Sequence, residues 1–178
     1  MPKLAVLLRA INVGGTGKLA MADFKALLAD LGYQAPKTLG AAGSAVIETA
    51  AKPDAVETKV AAELTARLDV KAEVFVRTHA ELTAILKRDP FPKMAKEEPS
   101  HLAVLFLDGE PTAAGLKALR EKITGPEEAE IGPRCLYIAY GEGMGRSKLT
   151  GAIIDRAIGR RGTARNWNTV KKLAELTA

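Results

Sequence analysis

Two short stretches of the sequence concentrate groups suited to holding an anion. Gly141-Glu142-Gly143-Met144-Gly145-Arg146-Ser147-Lys148-Leu149-Thr150 is a glycine-rich turn that delivers an Arg, a Ser and a Lys to a helix start. Arg165-Asn166-Trp167-Asn168-Thr169-Val170 places an Arg, two amides and the only Trp of the protein where a further helix should begin. The first turn of a helix leaves its N–H groups unpaired and lies at the positive end of the helix dipole, so anions are favoured there and cations are not. An anionic ligand accounts for Arg146, Lys148 and Arg165 at such places. The Arg side chains would fork to phosphate oxygens, Lys would act as a point charge, and Asn would orient the ligand. A structural reading stands beside this one. Ser147 is placed to cap the helix that follows it, Asn166 or Asn168 to cap the last helix, and Trp167 to plug the core.

A third stretch, Arg9-Ala10-Ile11-Asn12-Val13-Gly14-Gly15-Thr16-Gly17-Lys18, runs from a strand through glycines to a Lys before a helix. It is not a nucleotide-triphosphate P-loop. That motif needs Gly where Asn12 stands and a metal-binding hydroxyl where Leu19 stands. What remains is a glycine-rich backbone able to approach an anion closely, or else a plain turn. Arg9, Asn12, Gly14, Gly15 and Lys18 are the candidate contacts here. With Arg146, Ser147, Lys148, Arg165, Asn166 and Asn168 they complete the candidate ligand-binding set.

Other chemistries find little material. His79 and His101 are the only histidines and Cys135 is the only Cys. A zinc site of ordinary ligand number is not expected, nor is any cofactor, and Cys135 reads as a packed strand residue. Glu97-Glu98 and Glu127-Glu128 read as solvated charge in polar loops.

The elements that must position these groups follow from hydrophobic periodicity. Leu4–Leu8 is a buried strand; Met21, Phe24, Leu27, Leu28 and Leu31 recur at helical spacing and stop at Gly32. Short strands around 37–39 and 45–47, a helix entered through Pro53, and an alternating strand at 72–76 complete a βαββαβ order. A helix around Leu82, Ile85 and Leu86 follows, then a stretch that Pro90, Pro92 and Pro99 should break into an irregular linker. The second half repeats the order: a strand at 102–107, a helix carrying Leu116, Leu119 and Ile123, a hairpin around Gly132-Pro133, and a helix carrying Leu149, Ile153 and Ile158. A strand near 163–165 and a C-terminal helix finish the chain. The expected fold is α+β, with two ferredoxin-like subdomains in tandem, the second modified at its end, plus the C-terminal helix. The expected boundaries are 1–78, a connecting helix and linker over 79–100, and 101–178. The repetition lies in element order, without residue-by-residue self-similarity.

The chain has 178 residues, 47% hydrophobic and 26% charged, as in an ordinary globular protein, and only 4% aromatic, so Ala, Leu, Val and Ile must build the core. A single Cys excludes an internal disulfide and fits a reducing compartment. No segment reads as a signal peptide or a membrane span, and a cytoplasmic protein is expected. The net charge of +5 is unevenly placed. Residues 146–172 carry eight basic groups against Asp155 alone, or +7, leaving −2 for the rest. Such a local excess is the footprint of an anionic partner, or a solvated basic face.

These motifs together resemble the DUF1697 family of small bacterial proteins of uncharacterised function. The resemblance is carried by Leu8-Arg9-Ala10-Ile11-Asn12-Val13-Gly14-Gly15, Lys18 with Met21, Phe91-Pro92, Gly145-Arg146-Ser147-Lys148-Leu149-Thr150, and Thr163-Ala164-Arg165-Asn166-Trp167-Asn168-Thr169-Val170. It implies an α+β fold with ferredoxin-like subunits and supplies no reaction. Where the family usually shows Ser-Gly-Asn in the hairpin after the first helix, this chain has Ala42-Gly43-Ser44, so a site using that hairpin is either lost here or takes a different ligand.

The function expected on these grounds is binding of a phosphate-bearing partner, a nucleotide or a nucleic-acid backbone. Base stacking is not expected, since Leu4–Leu8 and Ala45–Ile47 offer no aromatic. Two alternatives stand: an enzyme that stabilises a developing anion, with Lys18 or Lys148 as acid or base; and a structural or oligomeric protein in which Arg146 and Arg165 pair with carboxylates such as Glu142 or Asp155.

Overall fold

The computed structural model describes residues 1–9 and 18–178. In the first half, β1 (Lys3–Arg9), α1 (Met21–Asp30), β2 (Gln34–Leu39), β3 (Ser44–Glu48), α2 (Pro53–Leu68) and β4 (Glu73–Thr78) follow one another. Then come α3 (His79–Arg88), α4 (Pro92–Glu97), β5 (Leu102–Leu107), α5 (Ala113–Lys122), β6 (Glu128–Gly132), β7 (Cys135–Ala139), α6 (Gly151–Ile158), β8 (Gly162–Asn166) and α7 (Trp167–Thr177). Short 3-10 turns at Pro99–His101 and Met144–Arg146 precede β5 and α6. The result is a mixed α+β fold with two antiparallel sheets of four strands, ordered β2-β3-β1-β4 and β6-β7-β5-β8.

The apolar runs become the inner strands because only there are both faces of a strand buried. Leu4 to Leu8 and Leu102 to Leu107 are buried throughout. On one face of the first sheet Leu4, Val6 and Leu8 pack with Phe24, Leu28, Val60 and Leu64. Ala103, Leu105 and Leu107 do the same with Leu116, Leu119, Ile154 and Ile158 in the second. Helix α1 stops as its sequence requires. Gly32 is left-handed (φ 90°), its N–H bonds to Ala29 and that of Tyr33 to Leu28, which satisfies two terminal carbonyls.

The two sheets share one register. Leu4 lies opposite Ile47 and Thr78, and Ala103 lies opposite Ile138 and Asn166. Counting from these pairs, Ala5 corresponds to Val104, Val46 to Tyr137 and Arg77 to Arg165. The duplication therefore has a residue-level form that side-chain identity conceals, and Arg77 and Arg165 are the chemically matched members of it.

Two expectations change. The proline-rich stretch is not an irregular linker. Pro92 and Pro99 stand at the first position of α4 and of the following 3-10 turn, where a missing N–H costs nothing. The compact units are Met1–Leu82 with Leu173–Ala178, and Thr83–Lys172, so most of the expected connector belongs to the second unit and the C-terminal residues to the first. Lys3 donates to the carbonyl of Ala178 and His79 bonds to Thr177 at 3.1 Å, which ties the terminus into the first unit. Among the described residues no helix is long and apolar enough to cross a membrane.

Candidate functional site

The Gly141 to Lys148 loop joins β7 to α6. The N–H of Tyr140 donates to His101 and that of Gly143 to Tyr140, after which the 3-10 turn carries the chain to Ser147. Gly143 is left-handed (φ 89°), and a Cβ there would sit 3.5 Å from His101 Nε2, so the chain passes closely over the imidazole. Ser147 does not cap α6. Its backbone is extended (φ −79°, ψ 140°) and Thr150 takes the role, accepting from the Ile153 N–H at 3.3 Å. The Ser147 hydroxyl instead accepts from Leu149 N at 3.0 Å and donates to Glu127 Oε1.

This places a pocket of about 130 Å³ between the Thr124–Glu127 segment and the loop, with Tyr140 also in its lining. Arg146, Ser147 and Lys148 all line it. Arg146 and Lys148 are exposed, and among the described residues neither forms an ion pair. Arg146 and Glu142, which the interaction-protein alternative would join, are thus not paired. The pocket is not purely cationic. Glu127, expected to be solvated, is only 9% exposed and presents its carboxylate here. Burial, and then the charge of Glu127, push the Tyr140 phenol up to about 12, so at neutral pH it is a hydrogen-bond donor. His101 Nδ1 lies 3.8 Å from Glu98 Oε2, behind the loop. Glu127 and Tyr140 were hidden from sequence reading, because the signal that marks them is burial and neither belongs to a motif.

Arg165 is not part of this pocket. It lies opposite Val104, whose neighbours Ala103 and Leu105 face the α5 and α6 side, so alternation turns Arg165 to the other face of the sheet. There it is 6% exposed and donates to Thr163 Oγ1 at 2.7 Å and to the Ala164 carbonyl at 2.8 Å. Burial lowers its pKa from 12.5 to about 10. The expectation that Arg146, Lys148 and Arg165 share one anion is corrected accordingly. Asn166 caps α7, accepting from Thr169 N at 3.0 Å, while Asn168 is exposed in the first turn. Trp167 is 5% exposed and tilts against Tyr137 with ring centroids 6.5 Å apart.

The first unit repeats this arrangement with different chemistry. Arg77 is 1% exposed and donates to the Val76 carbonyl, as Arg165 does to Ala164. Thr78 caps α3 in the place of Asn166, accepting from Glu81 N, and Glu81 Oε2 lies 3.4 Å from Thr78 N and 3.7 Å from Arg77 Nε. Thr78 and Glu81 form a capping box with the arginine attached. A buried Arg just ahead of a helix N-cap is therefore a structural device of both units.

Of the first-loop candidates, Arg9 closes β1 and Lys18 is exposed ahead of α1, both in the first unit, whereas the pocket is built by the second unit alone. Asn12, Gly14 and Gly15 lie outside the described residues.

Comparison with known proteins fits this architecture. A family model described as a protein of unknown function (DUF1697) matches residues 1–137. The chain belongs to the DUF1697 family. The matched stretch ends within β7, so the Gly141 to Lys148 loop and the β8–α7 junction lie beyond it. Among solved structures, the conserved bacterial protein SP0830 from Streptococcus pneumoniae is similar in fold, with a TM-score of 0.74 at 18% identity, covering 99% of each chain. No curated protein matches the chain.

Proposed function

We propose that this DUF1697 protein binds a phosphate-bearing ligand, a nucleotide or a nucleic-acid phosphate, in the pocket of its second unit. The observation that carries the reading is the convergence of Arg146, Ser147 and Lys148 on one small pocket, with both cations unpaired among the described residues. Arg146 would fork to two oxygens, Lys148 would neutralise a third, and the Tyr140 phenol would donate from the wall. Pocket size limits what enters. Ligand sites for whole small molecules run to roughly 300–1,000 Å³, against about 130 Å³ here. The space suits a phosphate group, with the rest of the ligand lying outside.

The same reading takes each unit as a ferredoxin-like subdomain, supported by its βαββαβ order and by strand order 2-3-1-4. It takes the protein as bacterial, as the similar SP0830 protein is, and as cytoplasmic, to which the single Cys lends support.

Titration with inorganic phosphate and with a nucleoside monophosphate tests the binding reading. Saturable binding is expected, and Arg146→Ala and Lys148→Ala should each weaken it at least about tenfold, the scale of a charge-assisted hydrogen bond. Binding of a single-stranded nucleic acid that carries a terminal phosphate should weaken with salt by a slope of roughly −0.7 per phosphate contact, flattened by Arg146→Ala and unchanged by Lys71→Ala. No saturable phosphate binding, or equal losses from Lys71→Ala and Arg146→Ala, would overturn the reading.

A further inference from the structure

Resting on that phosphate-site reading, we propose that Glu127 makes the pocket selective for an oxyanion that carries a proton: inorganic phosphate or the monoanion of a terminal phosphate is accepted, while sulfate and phosphodiesters are rejected. Glu127 has one oxygen committed and one available. Oε1 accepts the Ser147 hydroxyl. Oε2 has no hydrogen-bond partner among the described residues, and it lies 2.6 Å from where a Cβ on Gly125 would be, so glycine there leaves room for the carboxylate.

Any anion held by Arg146 and Lys148 inside so small a pocket comes against this carboxylate. The charged and titratable groups around it are few: Arg146 and Lys148 with Glu142 on the loop, the neutral Tyr140 phenol on the wall, and His101 with Glu98 behind Gly143. An oxyanion offering only lone pairs meets a second acceptor there and is repelled, at a site where burial weakens screening. An oxyanion with an O–H donates that proton to Oε2, and repulsion becomes a charge-assisted hydrogen bond. Both forms of inorganic phosphate present near neutral pH carry such a proton, whereas sulfate carries none. A phosphate monoester loses its last proton with a pKa of about 6, and a phosphodiester has none to give. The pocket would then take a free or terminal phosphate and pass over the internal phosphates of a nucleic acid. Selectivity of this kind comes from an element that penalises the wrong ligand as much as from one that holds the right one.

The test is a pair of titrations of the intact protein at neutral pH and matched ionic strength, one with inorganic phosphate and one with sulfate. Phosphate should bind at least roughly tenfold more tightly, the scale of a hydrogen bond to a charged group. Sulfate carries the larger charge at that pH, so attraction to the cations alone predicts the reverse order. Dimethyl phosphate, charged but protonless, should fail to displace bound phosphate. In Glu127→Gln the side-chain amide can donate, and sulfate should come to bind within about twofold of phosphate. The comparison of anions on the unmodified protein stands whether or not the variant folds. If sulfate binds the unmodified protein as tightly as phosphate, or dimethyl phosphate displaces phosphate, the selectivity is overturned and the anion site survives. If neither anion binds, both fall together.

Discussion

Replacing Arg165 by Ala should cost about 3 kcal/mol of stability and leave phosphate binding as it was. The magnitude follows from three opposed effects. The side chain gives up hydrogen bonds to Thr163 Oγ1 and to the Ala164 carbonyl, at 2.7 and 2.8 Å. Bonds from a charged donor contribute roughly 1.5–3 kcal/mol each. Losing the three methylenes of the stem removes about 2 kcal/mol more of apolar burial. Against these, deleting a buried charge relieves a penalty. The guanidinium is held down from 12.5 to about 10 by burial, and at 1.36 kcal/mol per pH unit that is roughly 3 kcal/mol. The balance lies at about 2–5 kcal/mol destabilising. Arg165→Met keeps the stem and should cost about 2 kcal/mol less than Arg165→Ala. Urea unfolding followed by circular dichroism measures both, read as a midpoint shift at constant slope. Arg146→Ala should do the reverse, weakening phosphate binding with stability changed by no more than about 0.5 kcal/mol. A stable Arg165→Ala protein with weakened phosphate binding would refute the assignment of Arg165 to the fold.

Trp167→Ala should cost roughly 3–5 kcal/mol, because the indole is 5% exposed against Tyr137; a native emission maximum typical of a hydrated indole would contradict this. Tyr33, Tyr137 and Tyr140 are all raised by burial, Tyr140 to about 12. At about pH 10.5 the folded protein should show less tyrosinate absorbance than the unfolded protein, with Tyr140 still protonated. The sign for stability follows: the contribution of these phenols is complete below the unfolded value near 10 and disappears as pH rises through the folded values. Three phenols ionising near pH 10 in the native protein would count against their burial. A Cβ on Gly162 would lie 2.7 Å from the backbone oxygen of Phe106; Gly162→Ala should therefore destabilise by about 1–3 kcal/mol, and an unchanged unfolding midpoint would show that the strands can move apart.

Local chemistry made much of this protein legible in one dimension. An unbroken apolar run such as Leu4 to Leu8 has to be an inner strand, since no other place buries both its faces. Gly32 ends α1 because only a residue without a Cβ takes that left-handed position cheaply. Element order, and with it the duplicated plan of the chain, follows from such signals. The roles of the charged residues did not, and the reason is geometric. Whether Arg165 meets a ligand or the interior depends on which face of the sheet it occupies, and that is set by its pairing with Val104. A strand's sequence shows alternation without saying which of its two faces is covered. The kinship of Arg77 and Arg165 stayed hidden for the same reason, since it lies in register while Val46 and Tyr137, at matched places, differ in size and polarity. Ser147 was legible as a hydroxyl beside a helix but not as the partner of Glu127, because a bond between residues 20 apart is made only when the loop folds back. Glu127 itself looked like solvated charge among polar neighbours. Burial is a property of what surrounds a residue in space, and for this carboxylate only the tertiary structure supplied the surroundings.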